Sequence, residues 1–199
     1  MARLSRVLAL LILVVGGGLW AGMWWRMQSD TPPGTPGQIQ IGGPFSLTDP
    51  DGKTVTDQQF RGRFMLVYFG YTFCPDVCPT ELQTVAASLA ALGPDAAKLV
   101  PLFITIDPQR DTPKAMGEYT KQFDDRLIGL TGTPEQIAAV AKAYRVYYAR
   151  SDSKATTDYL MDHSSFLYLM GPDGRMRSLF RPGMQPQELT AALKAQLAG

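Results

Sequence analysis

The chain has 199 residues, a formal net charge of +1, 45% hydrophobic residues, two cysteines and one histidine. That length suits one domain of ordinary size plus an appendage. The cysteine count excludes a disulfide-dense scaffold and any zinc site of four Cys/His ligands within one chain. Any Ser-His-Asp or Cys-His chemistry has to use the same single histidine.

Charge is unevenly divided. Arg3, Arg6 and Arg26 give the first 29 residues +3, which leaves 16 basic against 18 acidic side chains beyond them. A mildly acidic domain without a Lys/Arg run has no electrostatic footprint for nucleic acid.

Val7 to Trp25 carries no charged side chain for 19 residues. As a helix it spans roughly 28 Å, close to the hydrocarbon thickness of a bilayer. Arg3 and Arg6 precede it, and Trp20, Trp24 and Trp25 fall at its far end, as cytoplasmic and interfacial flanks do. No A-x-A site follows before Asp30, so an uncleaved single-pass anchor is expected over residues 1–28 rather than a signal peptide. The bilayer is then a partner and the domain is exported. Six residues ahead of the apolar run leave no room for an Arg-rich presequence, which favours a bacterial inner membrane with a periplasmic domain. Residues 29–38, rich in proline and glycine, read as a linker, and 39–199 as the folded domain.

Along the domain, Phe45–Thr48 and Lys53–Thr56 flank Asp-Pro-Asp-Gly and read as a hairpin. Phe64–Tyr71 (FMLVYFGY) and Leu99–Ile106 (LVPLFITI) are continuous apolar runs of the kind that form strands buried on both faces. Pro79–Leu92 reads as a helix between them, ended by Gly93-Pro94. Asp111-Thr112-Pro113 opens a helix running to about Phe123, and Leu127–Leu130 is a short strand. Thr133-Pro-Glu-Gln136 forms a capping box for the next helix. Phe166–Met170 and Arg175–Phe180 form a second hairpin, and Pro186–Leu197 a closing helix. This order indicates an α/β fold, a thioredoxin-like three-layer sandwich.

Cys74 and Cys78 lie in Phe-Cys74-Pro-Asp-Val-Cys78-Pro79, directly after the first buried strand. Open α/β sheets place their sites there, beside helix N-termini, which favour thiolate over thiol. Pro79 at the first helical position makes Cys78 the expected N-cap. A disulfide between the two is sterically feasible, although their four-residue spacing departs from the C-x-x-C redox motif. The bland reading, two structural core cysteines, fits a proline-flanked junction poorly. His163 is placed in a loop just before a strand, where a lone histidine is as readily a bystander as a ligand. Asp162 reads as its orienting partner or as a solvated acid. Asp107 to Asp111 suffices as a turn and helix cap. Met65 and Met170, unlike Met161, sit within strand patterns and read as core.

YFGYTFCPDVCPTEL, ITIDPQRDTP and DYLMDHSSFLYLMGPDGR, in that order, closely resemble the Sco/SenC family over about residues 40 to 195. The resemblance implies a copper-binding, thioredoxin-fold assembly factor of cytochrome c oxidase, with Cys74, Cys78 and His163 as copper ligands. Two thiolates and an imidazole suit Cu(I), and imidazole suits Cu(II) as well. One copper per chain is expected.

Three functions compete. The first is a metallochaperone that passes copper to subunit II of cytochrome c oxidase, kept reduced by a partner thiol reductase and supplied by another copper chaperone. The second is a thiol–disulfide oxidoreductase in which Cys74 and Cys78 are the redox pair, reducing the copper-ligating cysteines of the oxidase. The third is a peroxidase. Only the first requires His163.

Overall fold

The computed structural model describes residues 40–151 and 159–198. The expected anchor and linker lie outside these residues. Among the described residues no helix is long and apolar enough to cross a membrane.

The expected first hairpin forms as β1 (Ser46–Thr48) against β2 (Thr54–Thr56). Asp49 closes its turn by accepting the backbone N–H groups of Asp51 and Lys53 at 3.0 and 2.8 Å. The two apolar runs become β3 (Phe64–Gly70) and β4 (Leu99–Thr105), paired in parallel at the centre of a five-stranded sheet. β5 (Ile128–Leu130) extends it on one side, and β8 (Leu167–Met170) and β9 (Met176–Phe180) extend it antiparallel on the other. The strand order is β5-β4-β3-β8-β9. Met65 and Met170 face each other across β3 and β8, fully inside the core as their strand patterns imply.

Alternation along β3 sends successive side chains to opposite faces. Tyr68 packs on Phe103, and Phe103 packs on Tyr119 at the end of α2 (Pro113–Thr120). The same face carries α1 (Val77–Leu92), with α4 (Pro186–Leu197) held beside it by a Ser88 hydroxyl donating to the Pro186 carbonyl. Phe69 points the other way, onto Tyr144 just beyond α3 (Pro134–Ala143) and Tyr168. Helices on both faces of one sheet give the three expected layers. The α3 start is the capping box read from the sequence: Thr133 accepts from the Gln136 N–H and Gln136 accepts from the Thr133 N–H.

Three expectations need correction. α2 ends at Thr120, not Phe123, because the Gln122 and Phe123 N–H groups bond three residues back, to the Tyr119 and Thr120 carbonyls, and the chain leaves in a turn. α1 starts at Val77, so Cys78 lies inside its first turn and Asp76 is the N-cap. Pro79 then occupies the third helical position, where its missing N–H has no intrahelical duty. Finally, His163 ends a strand instead of sitting in a loop. β6 (Tyr148–Ser151) and β7 (Leu160–His163) form a separate two-stranded ribbon, with Tyr148 opposite His163.

Candidate metal centre

The shift of α1 by two residues decides the electrostatics of the cysteine loop. Cys78 points inward, fully buried, while Cys74 sits in the loop at 9% exposure. The Cys78 N–H, one of the free amides of the helix start, faces the Cys74 sulfur at 3.4 Å. The helix end therefore stabilises a thiolate on Cys74, not on Cys78. The Cys78 thiol, then His163 and the Asp76 and Cys78 amides, hold Cys74 down at about 4 despite its burial. Cys78 moves far upward, because it keeps the proton shared with Cys74 and is buried. The two sulfurs are not joined in a disulfide.

β7 delivers the third group. His163 Nε2 lies 3.4 Å from Cys78 Sγ. Its Nδ1 lies 3.1 Å from the Ser164 carbonyl, which only accepts, so Nδ1 carries a proton and Nε2 is the ring nitrogen that faces the sulfurs. Asp162 is exposed and makes no contact with the ring nitrogens, so the solvated reading of that acid holds. The rings of Tyr68 and Tyr71 pack edge-on against the imidazole at 6.3 and 6.0 Å.

Cys74, Cys78 and His163 thus offer three donor atoms within 4.8 Å of one another. Metal–sulfur and metal–nitrogen bonds of about 2.3 and 2.0 Å set donors around one ion roughly 3.5–4 Å apart. The 3.4 Å pair lies just under this range, and no gap among the three, all within 4.8 Å, needs more than about 1 Å of side-chain movement to close. Two sulfurs and one imidazole select a soft or borderline ion. On the outer side, Cys74 and His163 border a shallow cleft of about 340 Å³ that Val77, Tyr147 and Met161 also line. A three-donor site with one open side binds an ion and can pass it on.

The residues match the SCO1/SenC family model over 33–198. The mouse "Protein SCO1 homolog, mitochondrial" is 40% identical over 195 residues, covering 94% of this chain and 69% of the mouse protein. The human protein of the same name is 43% identical over 166 residues, covering 81% of this chain but only 54% of its own length. The structure of Bradyrhizobium japonicum ScoI with copper bound superposes with a TM-score of 0.72 at 49% identity, covering 78% of this chain and 98% of the other. The chain belongs to the SCO1/SenC family. Its Cys-Cys-His cluster is assembled by residues that a reading of motifs alone passes over.

Gly70 is one of these. A Cβ there would lie 2.7 Å from Cys78 Sγ and 2.8 Å from Phe103, so only glycine lets the sulfur rest on β3. Asp111 is another. It is fully buried and accepts from the Thr72 N–H at 3.1 Å and from the Thr72 and Thr105 hydroxyls at 2.5 and 2.6 Å, which fixes the turn before Cys74. Burial pushes its carboxyl up, against these bonds. Thr112 takes the helix-capping role instead, accepting from the Ala115 N–H.

Arg110 joins the two halves of the site. Its guanidinium lies over Phe73 of the cysteine loop at 4.6 Å and over Tyr159, just before β7, at 3.8 Å. It pairs with buried Asp107, which also accepts the Tyr159 hydroxyl at 2.8 Å. The Tyr71 hydroxyl adds a further tie by accepting the Met161 N–H. Glu81, one turn along α1 from Cys78, holds the loop before α4 through the Gly183 N–H, and burial pushes its carboxyl up. The signal for Asp107, Arg110 and Asp111 was present in DPQRD; the partners they hold were not.

Proposed function

We propose that this chain is a copper carrier for cytochrome c oxidase assembly. It holds one copper ion through Cys74, Cys78 and His163 and passes it to the binuclear copper site of subunit II. The observation that carries this reading is the three-donor cluster, within 4.8 Å and open on one side. The donor set is right for Cu(I) through its sulfurs and for Cu(II) through its imidazole.

Burial orders the exchange. Cys78 is sealed behind β3, so a recipient's thiolate approaches the ion from the side of Cys74 and His163. The incoming sulfur shares the ion, Cys74 and His163 release it, and Cys78 lets go last. The apolar side chains of Phe73 and Tyr147, 53% and 64% exposed beside the cleft, offer a surface for that encounter. The domain works on the periplasmic side of a bacterial inner membrane, held by residues 7–25. That placement rests on the uncharged run and its arginine and tryptophan flanks.

The low-lying Cys74 thiolate supports a second reading, thiol–disulfide exchange. Cys74 attacks a partner disulfide, one partner sulfur leaves as thiolate, and Cys78 displaces the other to leave a Cys74–Cys78 disulfide and a reduced partner. Mixing copper-loaded chain with copper-free subunit II separates the two. Transfer of the ion, seen as the binuclear copper absorption in the recipient, supports the carrier reading. Reduction of a recipient disulfide by the copper-free chain, which ends as the Cys74–Cys78 disulfide, with no binuclear absorption from the loaded chain, supports the second and contradicts the first.

A further inference from the structure

Four exposed arginines gather around the start of β3 and take no part in the metal centre. Arg61 and Arg63 come just before that strand, and Arg175 and Arg177 lie at the start of β9. The sheet brings the two pairs together, since Met170 at the end of β8 lies opposite Met65. The Gly62 N–H donates to the Pro172 carbonyl at 3.0 Å, and the Arg61 guanidinium donates to the Asp173 carbonyl. Two acids answer the four cations. Asp57 pairs with Arg61 at 2.9 Å and Asp173 with Arg177 at 3.0 Å. Arg63 and Arg175 have no ion pair among the described residues. This surplus sits on a domain whose acidic side chains slightly outnumber its basic ones. Charges on an edge strand such as β9 oppose strand-to-strand aggregation, but that accounts for neither Arg61 nor Arg63, which lie off the strand.

The chain enters the domain at this same end. Gly42 packs against Met170, and the Phe45 N–H donates at 3.3 Å to Asp57, the carboxylate that pairs with Arg61. The cysteine loop leaves the opposite end of β3, a strand of seven residues spanning roughly 20 Å. We propose that this arginine end docks on the anionic phospholipid headgroups of the bilayer that anchors the chain, turning the metal centre away from the membrane. This rests on the reading of residues 7–25 as an anchor. Each arginine near an anionic surface strengthens binding about fivefold, which is too little for four of them to hold a free domain firmly. The tether makes it sufficient. Residues 29–38 reach about 30 Å even when fully extended as polyproline, so the domain meets the headgroups at an effective concentration on the order of millimolar.

The test is hydrogen exchange on the full chain reconstituted in vesicles, made of phosphatidylcholine alone or of equal parts phosphatidylcholine and phosphatidylglycerol. In the anionic vesicles the amides of Arg61–Phe64 and Gly174–Leu179 should exchange several-fold more slowly than in the neutral ones. High salt should erase the difference. Arg63→Glu combined with Arg175→Glu should erase it as well, with copper binding unchanged. Lys114→Glu combined with Lys121→Glu, the same change of charge on and beside α2, should leave it in place. Equal exchange in both lipids, or protection that survives Arg63→Glu with Arg175→Glu, overturns the proposal and leaves the anchor reading standing. Protection that needs added cytochrome c oxidase rather than anionic lipid assigns this end to a protein partner and overturns it too. A chain that an alkaline wash strips from both kinds of vesicle overturns the anchor reading and the proposal together.

Discussion

Cys78 Sγ and His163 Nε2 lie 3.4 Å apart although 85 positions separate them in the chain. One comes from the first turn of α1 and the other from the end of β7, outside the main sheet. Holding them together is the work of Arg110, Asp107, Tyr71 and Tyr159, and an ion bound by both would close the same loop again.

The thiolate on Cys74 sets a pH prediction. Its value lies near 4, well below the ordinary 9.0, so the folded state binds one proton fewer between those limits. Its contribution to stability is fully present above about 9, shrinks as pH falls and is gone below about 4. In the reduced, metal-free protein, the melting advantage over Cys74→Ser should rise with pH across this window. Alkylation by iodoacetamide should label Cys74 at pH 5 and spare buried Cys78. Equal labelling of both would contradict the assignment.

Gly70→Ala tests the packing of the site. The added methyl meets Cys78 Sγ and Phe103 inside van der Waals contact. Overpacking of this kind costs about 1–3 kcal/mol, and copper affinity should fall with it because the clash is borne by a ligand. Thermal melting and a chelator competition on the same sample measure both.

Arg110→Ala removes one partner of a largely buried ion pair and opens the link between the cysteine loop and the β6–β7 ribbon. Loss of one member of such a pair costs about 3–5 kcal/mol. Hydrogen exchange should quicken in Leu160–His163 more than in β3 or β4. Arg110→Lys keeps the charge but loses the planar stacking and should recover only part of the protection.

Much of this fold could be read from residue pattern. FMLVYFGY and LVPLFITI are strands because nothing else accommodates such runs between turn signals, and Thr133 with Gln136 marks a helix start by a reciprocal bond that the structure contains. Both cysteines and the histidine were legible as a group through the motifs around them. The β6–β7 ribbon was not, since Tyr-Ala-Arg-Ser and Leu-Met-Asp-His have no alternation to announce a strand and are held by pairing with each other. The place of Cys78 was misread for a similar reason. Proline disfavours helical geometry in the residue before it, but burial of the sulfur against Gly70 outweighs that preference.

The central claim is that these three side chains hold one metal ion together. Copper titration of the reduced, anaerobic full chain, with Cys74→Ala, Cys78→Ala and His163→Ala beside it, tests this most directly. The account predicts one copper per parental chain. It also predicts that His163→Ala weakens Cu(II) binding beyond the roughly 10–100-fold of a lost supporting group, with Cys74 alkylation largely unchanged. Unchanged Cu(II) affinity in His163→Ala would contradict it.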